Sequence, residues 1–328
     1  MPGVPIMKMK KLFIIGALLA LLGACDKPLN TDGDNTSSEG TGEMEPLTFA
    51  TYNVLKPSGR RTEMNMYNST VHKALGKAII ETKADFIAFN ELDETLIAGG
   101  DLSIPSVCKT IKDYDWNIAW PNDIKEDGSI KYSYANGFAY NKKKLKVEQC
   151  GYVWLSKESN EWYVKPSSAY LKAGSPERTC IWIKMIHIAS KTEFWVFVTH
   201  LPTSSQGGAA NMAYVVNNFA KSKAGDAPSI LLGDMNSAPG SYAYRLLCRY
   251  WRDGNENDWG TMSGSSSSYY YPVTEYPVGN TEKRIDHIMT RGCTASDYRI
   301  IKTTYTGSDG KQWCPSDHLP VVATITIE

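Results

Sequence analysis

Along this chain, apolar runs of two different periods alternate, and most of them stop at a polar residue. "LTFATYN" (47–53) has strand composition and ends at Asn53. The next pattern is helical: Val71, Ala74, Leu75, Ala78 and Ile79 share one face, with Ser69 or Thr70 placed to cap it. "ADFIAFNE" returns to a short apolar run closing on Glu91, so 47–91 predicts strand, helix, strand. Adjacent strands are predicted over 136–141 and 146–155, then a hairpin over 179–188 and 193–200 joined by "ASKT". Met212, Val215, Val216 and Phe219 mark a second helix before an apolar strand over 229–233. A polar, aromatic loop spans 261–279. Strands then resume over 284–290 and 298–306, and "LPVVATITIE" closes the chain. Many strands, few long helices and no internal linker predict one domain of two packed sheets with helices outside.

The polar stops are the candidates for chemistry. They are Asn53, Glu91, His200, Asp234 with Asn236, Asp286, and the Asp317–His318 pair ahead of the last strand. In "SILLGDMNSAPG", period-2 geometry places the Asp234 and Asn236 side chains on one side of the backbone at a strand terminus. Each residue alone has an ordinary reading as a turn residue, a cap or a satisfied histidine. Strand ends sharing one rim would instead gather them into a site. His72 in the first helix, His187 in mid-strand and His287, facing away from Asp286, are excluded from catalysis.

The first 46 residues stand apart from this pattern. Lys8, Lys10 and Lys11 precede "LFIIGALLALL", an apolar stretch of secretory length that is too short to span a bilayer comfortably. It ends in "LGAC", which resembles the lipobox of bacterial lipoproteins and implies cleavage before Cys25 and lipidation of that residue. The expected organisation is a signal peptide over 1–24, a lipidated Cys25 with a polar tether over 25–46, and a catalytic domain over 47–328. The tether's Gly, Ser, Thr and acidic residues bury too little to order themselves.

Composition then narrows the classes. A hydrophobic fraction of 42% and a charged fraction of 21% are those of a globular domain. Without residues 1–24 the chain carries 32 basic and 35 acidic residues, a net of −3, which is no footprint for duplex nucleic acid. The six cysteines after Cys25 form no CxxC pair, which argues against a structural zinc site.

The ordered set "TYNV", "DFIAFNELD", "FVTHLP", "LLGDMN", "RIDHI" and "SDHLPVV" resembles the endonuclease/exonuclease/phosphatase superfamily over about residues 47–328. "GYVWLSKES", "ERTCIWIKM" and "EFWVFVTHL" look like a bacterial, often exported subgroup. The resemblance implies an α/β (α+β) deoxyribonuclease-like fold: a four-layer sandwich of two packed mixed β-sheets flanked by helices. It implies hydrolysis of phosphoesters with Mg²⁺ (Mn²⁺ or Ca²⁺ as alternatives), a cation that offsets charge developing on the phosphoryl oxygens.

By the same resemblance, Glu91 holds the metal with Asn53 beside it, Asp234 orients or deprotonates the attacking water, and Asn236 holds a phosphate oxygen. His200 and His318 donate to the phosphoryl group, while Asp286 and Asp317 orient a histidine or join the metal shell. Arg178 and Asn136 are candidate substrate contacts. The family usually has Gln–Glu where this chain has Asn90–Glu91, and deoxyribonuclease relatives carry a glutamate near the position of Asn136. Tyr269, Tyr270, Tyr271 and Tyr276, with Trp154 and Trp162, either border the cleft or pack on the domain. The expected substrate is a small or lipid-linked phosphoester. An extracellular nuclease or a non-catalytic binding lipoprotein is the alternative, in each case a monomer tethered by lipid to the outer membrane of the cell envelope, on its periplasmic or surface face.

Overall fold

The computed structural model describes residues 44–55, 69–92, 96, 101, 103–119, 135–158, 161–163, 178–203, 208–255, 261, 284–308, 310 and 312–327. The leader, Cys25, most of the tether and the tyrosine-rich loop lie outside the described residues, as does the side chain of Trp162.

The elements in chain order are β1 (Leu47–Asn53), α1 (Ser69–Thr82), β2 (Phe86–Leu92), α2 (Ile104–Val107), β3 (Tyr114–Ala119), β4 (Ala135–Asn141), β5 (Leu145–Glu158) and β6 (Glu161–Tyr163). They continue with β7 (Thr179–His187), β8 (Glu193–His200), α3 (Ala209–Ala224), β9 (Ser229–Asp234), α4 (Tyr242–Leu247), β10 (Arg252–Asp253), β11 (Asp286–Arg291), β12 (Cys293–Ile300), β13 (Tyr305–Thr306), β14 (Gln312–Trp313) and β15 (Val321–Ile327). One sheet has the order β12-β15-β1-β2-β4-β3 and the other β10-β11-β9-β8-β7-β5-β6.

Both faces of each sheet are covered, which is why the central strands read as continuous apolar runs rather than alternating ones. Phe49, Phe86, Phe138, Ile183, Val196, Ile230, Ile288 and Val321 meet in the core between the sheets. Their strand neighbours point the other way. Ala50, Ile87 and Val322 pack against Val71, Leu75 and Ile79 of α1, and Phe197, Leu231 and Met289 pack against Met212, Val216 and Phe219 of α3. Four layers result. Stacked rings stiffen the central layer, with centroids 5.2 Å apart for Phe49–Phe86 and 5.5 Å for Phe86–Phe138.

Three features depart from the sequence reading. The run 298–306 is not one strand: β12 stops at Ile300, and Tyr305–Thr306 pairs separately with Gln312–Trp313. Strand β3 and the short helices α2 and α4 carry too few apolar positions for a period to emerge. Trp154 is buried, so it packs on the domain instead of bordering a cleft.

Two parallel pairs position the site. The α1 crossover brings β1 beside β2 with Asn53 opposite Asn90, and the α3 crossover brings β8 beside β9 with His200 opposite Asp234. A parallel crossover returns the chain to the same end of the sheet, so consecutive strands finish side by side. Antiparallel β11 begins at that end, with Asp286 opposite Asp234.

Candidate active site

Backbone geometry at the strand ends is unusual in a consistent way. Glu91 and Asn236 adopt φ of 60° and 45°, in the left-handed region that non-glycine residues rarely enter. At Glu91 the cause is a bulge. Phe89 pairs with Gly137 and Leu92 with Ala135, so β2 spends one more residue than β4 over the same stretch. The extra residue breaks the alternation at Glu91, whose Oε1 accepts from Asn53 Nδ2 at 3.3 Å. Gly233 prepares the other side. Its φ is 142°, and a Cβ there would lie 1.8 Å from the Thr199 carbonyl oxygen, so only glycine lets β8 and β9 converge.

Asp234 sits at the centre. Its Oδ2 accepts from Asn53 Nδ2 at 3.0 Å and lies 3.3 Å from His200 Nε2 and 3.8 Å from His318 Nε2. Its Oδ1 accepts from the Asn236 backbone amide at 2.8 Å. Asn236 itself lies beyond the end of β9. It reaches the site through a left-handed turn, not by strand alternation as its spacing suggested. From there its Nδ2 donates to the Leu201 carbonyl at 2.8 Å and lies 3.0 Å from His200 Nε2.

His318 Nδ1 is 2.7 Å from Asp286 Oδ2, so the acid serving this histidine is Asp286. Ser316 anchors the segment by donating to the Asn53 carbonyl at 2.7 Å and accepting from the His318 amide at 3.2 Å. Asp317 is buried next to His318. Sequence reasoning passed over Ser316, although its place in "PSDHLP" directly before the acid–histidine pair was the signal available.

A second polar layer joins the two sheets beneath Asp234. The Asp234 amide donates to Asn90 Oδ1 at 2.8 Å, and Asn90 Nδ2 donates to Asn136 Oδ1 at 2.8 Å and the Thr199 carbonyl at 3.2 Å. Asn136 donates in turn to the Thr179 carbonyl at 3.1 Å. The structure therefore places Asn136 in a buried bridge and Arg178, at the entry to β7, in the interior as well. Asn90, noticed in the sequence only as a shortened amide, supports the Asp234 backbone directly.

Electrostatics separates the roles these groups can take. Burial pushes the Asp234 carboxyl up to about 7, against the pull of His318, the Asn236 amide and Asn53. Burial acts to lower the His318 imidazole, but Asp286, Asp234 and Asp317 outweigh it and hold the ring well above its ordinary value. A carboxylate with raised proton affinity beside an imidazolium is an arrangement able to take a proton from water and to donate to an oxyanion. Asp234, Asp286 and His318 also present ligand atoms within 4.8 Å of one another, and with His318 protonated it is the two carboxylates that can hold a cation. Asp286 Oδ1 is buried without a hydrogen-bond partner among the described residues, the oxygen such an ion would satisfy. The donors are mainly carboxylate oxygens, which fit a hard divalent ion.

Comparison with known proteins bears on the family and the fold. A model for the Endonuclease/Exonuclease/phosphatase family matches residues 50–318. A solved protein of that family from Bacteroides thetaiotaomicron superposes with a TM-score of 0.67 at 20% identity, covering 87% of this chain and 100% of its own. The mannosyl-6-phosphatase of the same organism gives 0.66 at 20% identity, with 85% and 99% covered. D. rerio TDP2 complexed with a single-strand DNA product gives 0.55 at 14% identity, with 86% and 99% covered. At these identities the likeness is one of fold. No curated protein matches the chain.

Proposed function

The chain is a member of the Endonuclease/Exonuclease/phosphatase family, and on that footing we propose that it is a divalent-metal-dependent phosphoester hydrolase. The observation carrying this reading is the buried constellation of Asp234, His318 and Asp286, with Asn53 linking Asp234 to Glu91.

Asp234, fixed by the Asn236 amide and with its proton affinity raised, accepts a proton from the attacking water. His318, kept cationic by Asp286, donates to the phosphoryl oxygens as they gain charge. His200 and Asn236, 3.0 Å apart, bound the other side of the same space and orient the phosphoryl group. Glu91, with the carboxylates of Asp234 and Asp286 nearby, would hold Mg²⁺, or Mn²⁺ or Ca²⁺ in its place, and Asp317 adds negative charge. When bound, such an ion neutralises charge on the phosphoryl group and its leaving oxygen. Asn136, bonded to Asn90 and to the Thr179 carbonyl, braces the site from behind, and Arg178, the other candidate substrate contact, is buried at the entry to β7.

The sugar-phosphatase neighbour supports a small or lipid-linked phosphoester. The neighbour bound to single-strand DNA favours a second reading, a nuclease. Export as a lipoprotein anchored through Cys25, with the domain on the periplasmic or surface face of the envelope, is part of the proposal; it rests on "LGAC" and the basic, apolar leader.

The experiment is hydrolysis by the purified full chain, first of bis-p-nitrophenyl phosphate and p-nitrophenyl phosphate, then of sugar phosphates, phospholipids and single-stranded DNA. Turnover with Mg²⁺ that is abolished by EDTA and by His318→Ala is expected. Metal-independent turnover would overturn the metal-dependent mechanism, and no turnover on any of these would leave a binding protein as the better reading.

A further inference from the structure

On the opposite face of β11 from Asp286, four side chains form a second buried polar cluster. Asp253 Oδ2 accepts from Tyr244 Oη at 2.9 Å and from Arg284 Nη1 at 2.9 Å, and lies 3.3 Å from His287 Nδ1. The other ring nitrogen, His287 Nε2, is 3.0 Å from the Ser237 carbonyl oxygen. Both nitrogens of this imidazole therefore meet acceptors, and its side chain has no exposed area. Tyr244 of α4 packs over the ring with centroids 5.3 Å apart.

Ser237 follows Asn236 directly, and the turn it belongs to carries the strained Asn236 backbone. The turn is gripped from two sides. On the site side, the Asn236 amide donates to Asp234. On the far side, His287 meets Ser237, and the Met235 amide donates to the Ile285 carbonyl at 2.8 Å. A left-handed conformation costs a non-glycine residue free energy, least for asparagine, and contacts that hold the turn offset that cost. The His287 contact is a side-chain contribution to that grip from outside the site.

We propose that His287, held in place by Asp253, is a positioning residue for Asn236, fixing the turn from which that amide reaches His200 and Asp234. His287 touches no reacting group. It acts through the Ser237 carbonyl, and its effect on turnover rests on the hydrolase reading above.

Two variants of the full chain separate positioning from mere packing. In His287→Gln the amide nitrogen stands near the place of Nε2 and retains the Ser237 contact; in His287→Asn it stands near Nδ1 and retains only the Asp253 contact. Assayed on bis-p-nitrophenyl phosphate with Mg²⁺, His287→Asn is expected to lower kcat about 10- to 100-fold with KM within about 3-fold, while His287→Gln stays within about 3-fold of the parent in both. Hydrogen exchange supplies a readout independent of turnover. The peptide covering 229–240 is expected to lose protection in His287→Asn and keep it in His287→Gln. Equal kcat losses that track the thermal midpoints of the two variants would overturn the proposal, and so would unchanged exchange in His287→Asn. Should the parent hydrolyse nothing, the hydrolase reading fails and the exchange result alone decides.

Discussion

Asp234 and Asp253 are two aspartates in one sheet whose side chains are almost equally hidden from solvent, 2% and 3% exposed, and they have been driven in opposite directions. Asp234 is pushed up to about 7, whereas Asp253 is held at about 2 although burial works to raise it. Side-chain exposure is therefore not what distinguishes them. Asp253 is surrounded by donors: His287, Arg284, Tyr244 and the Asn255 amide. Asp234 shares its space with a second carboxylate, Asp286, and much of its support comes from neutral amides. Satisfaction by cations makes a carboxylate a fastener, and incomplete satisfaction leaves it reactive.

The strongest way to break this comparison is Asp234→Asn. Turnover is expected to fall about 10³-fold or more, as for loss of a general base. Stability moves the other way. A carboxyl raised in the folded state binds its proton more tightly than in the unfolded chain. It therefore costs the fold stability as pH climbs from about 4 to about 7, and the full cost remains above that. Melting in EDTA at pH 8 should accordingly show the variant with the higher midpoint. A lower one would mean that Asp234 also fastens the fold.

Asp253→Ala is the converse case. It leaves Arg284 and His287 facing no acid in the interior, and we expect a loss of about 3–5 kcal/mol in urea unfolding at pH 7. The depressed carboxyl contributes stability that is present above about pH 4 and disappears as pH falls through about 2, worth roughly 2 kcal/mol. Asp253→Asn should lack that acid limb, and an identical limb in parent and variant would contradict the assignment.

Glu91→Gln gives the smallest shift. It preserves shape and removes one charge, so the Mg²⁺ concentration for half-maximal activity should rise roughly 10- to 100-fold, with the thermal midpoint in EDTA little changed. An unaltered Mg²⁺ dependence would place the ion on Asp234 and Asp286 without Glu91.

Much of this was legible beforehand because apolar periodicity is set by burial, which here is simple: runs such as 229–233 and 193–200 are covered on both faces and ended where expected. The polar stops were legible for the complementary reason that a carboxylate at the end of an apolar run has no packing role. What stayed hidden depends on backbone angles and long-range pairing. Nothing in "DFIAFNEL" announces that β2 carries an extra residue, or that Asn90 would reach the Asp234 amide in the other sheet. The choice of Asp286 over Asp317 as the partner of His318 required the register of β11 against β9. His287 could be set on the far face by alternation alone, but its hold on Ser237 could not be foreseen, because Asp253 lies 34 residues away.

The bulge at Glu91 also sets how this segment tolerates change in length. Deleting one residue between Phe89 and Leu92 would restore an even ladder with β4 and swing the carboxylate to the far side of its strand. A one-residue insertion at the same point would likewise change which side of β2 the carboxylate occupies, so the site depends on the length of this segment as well as on its residues.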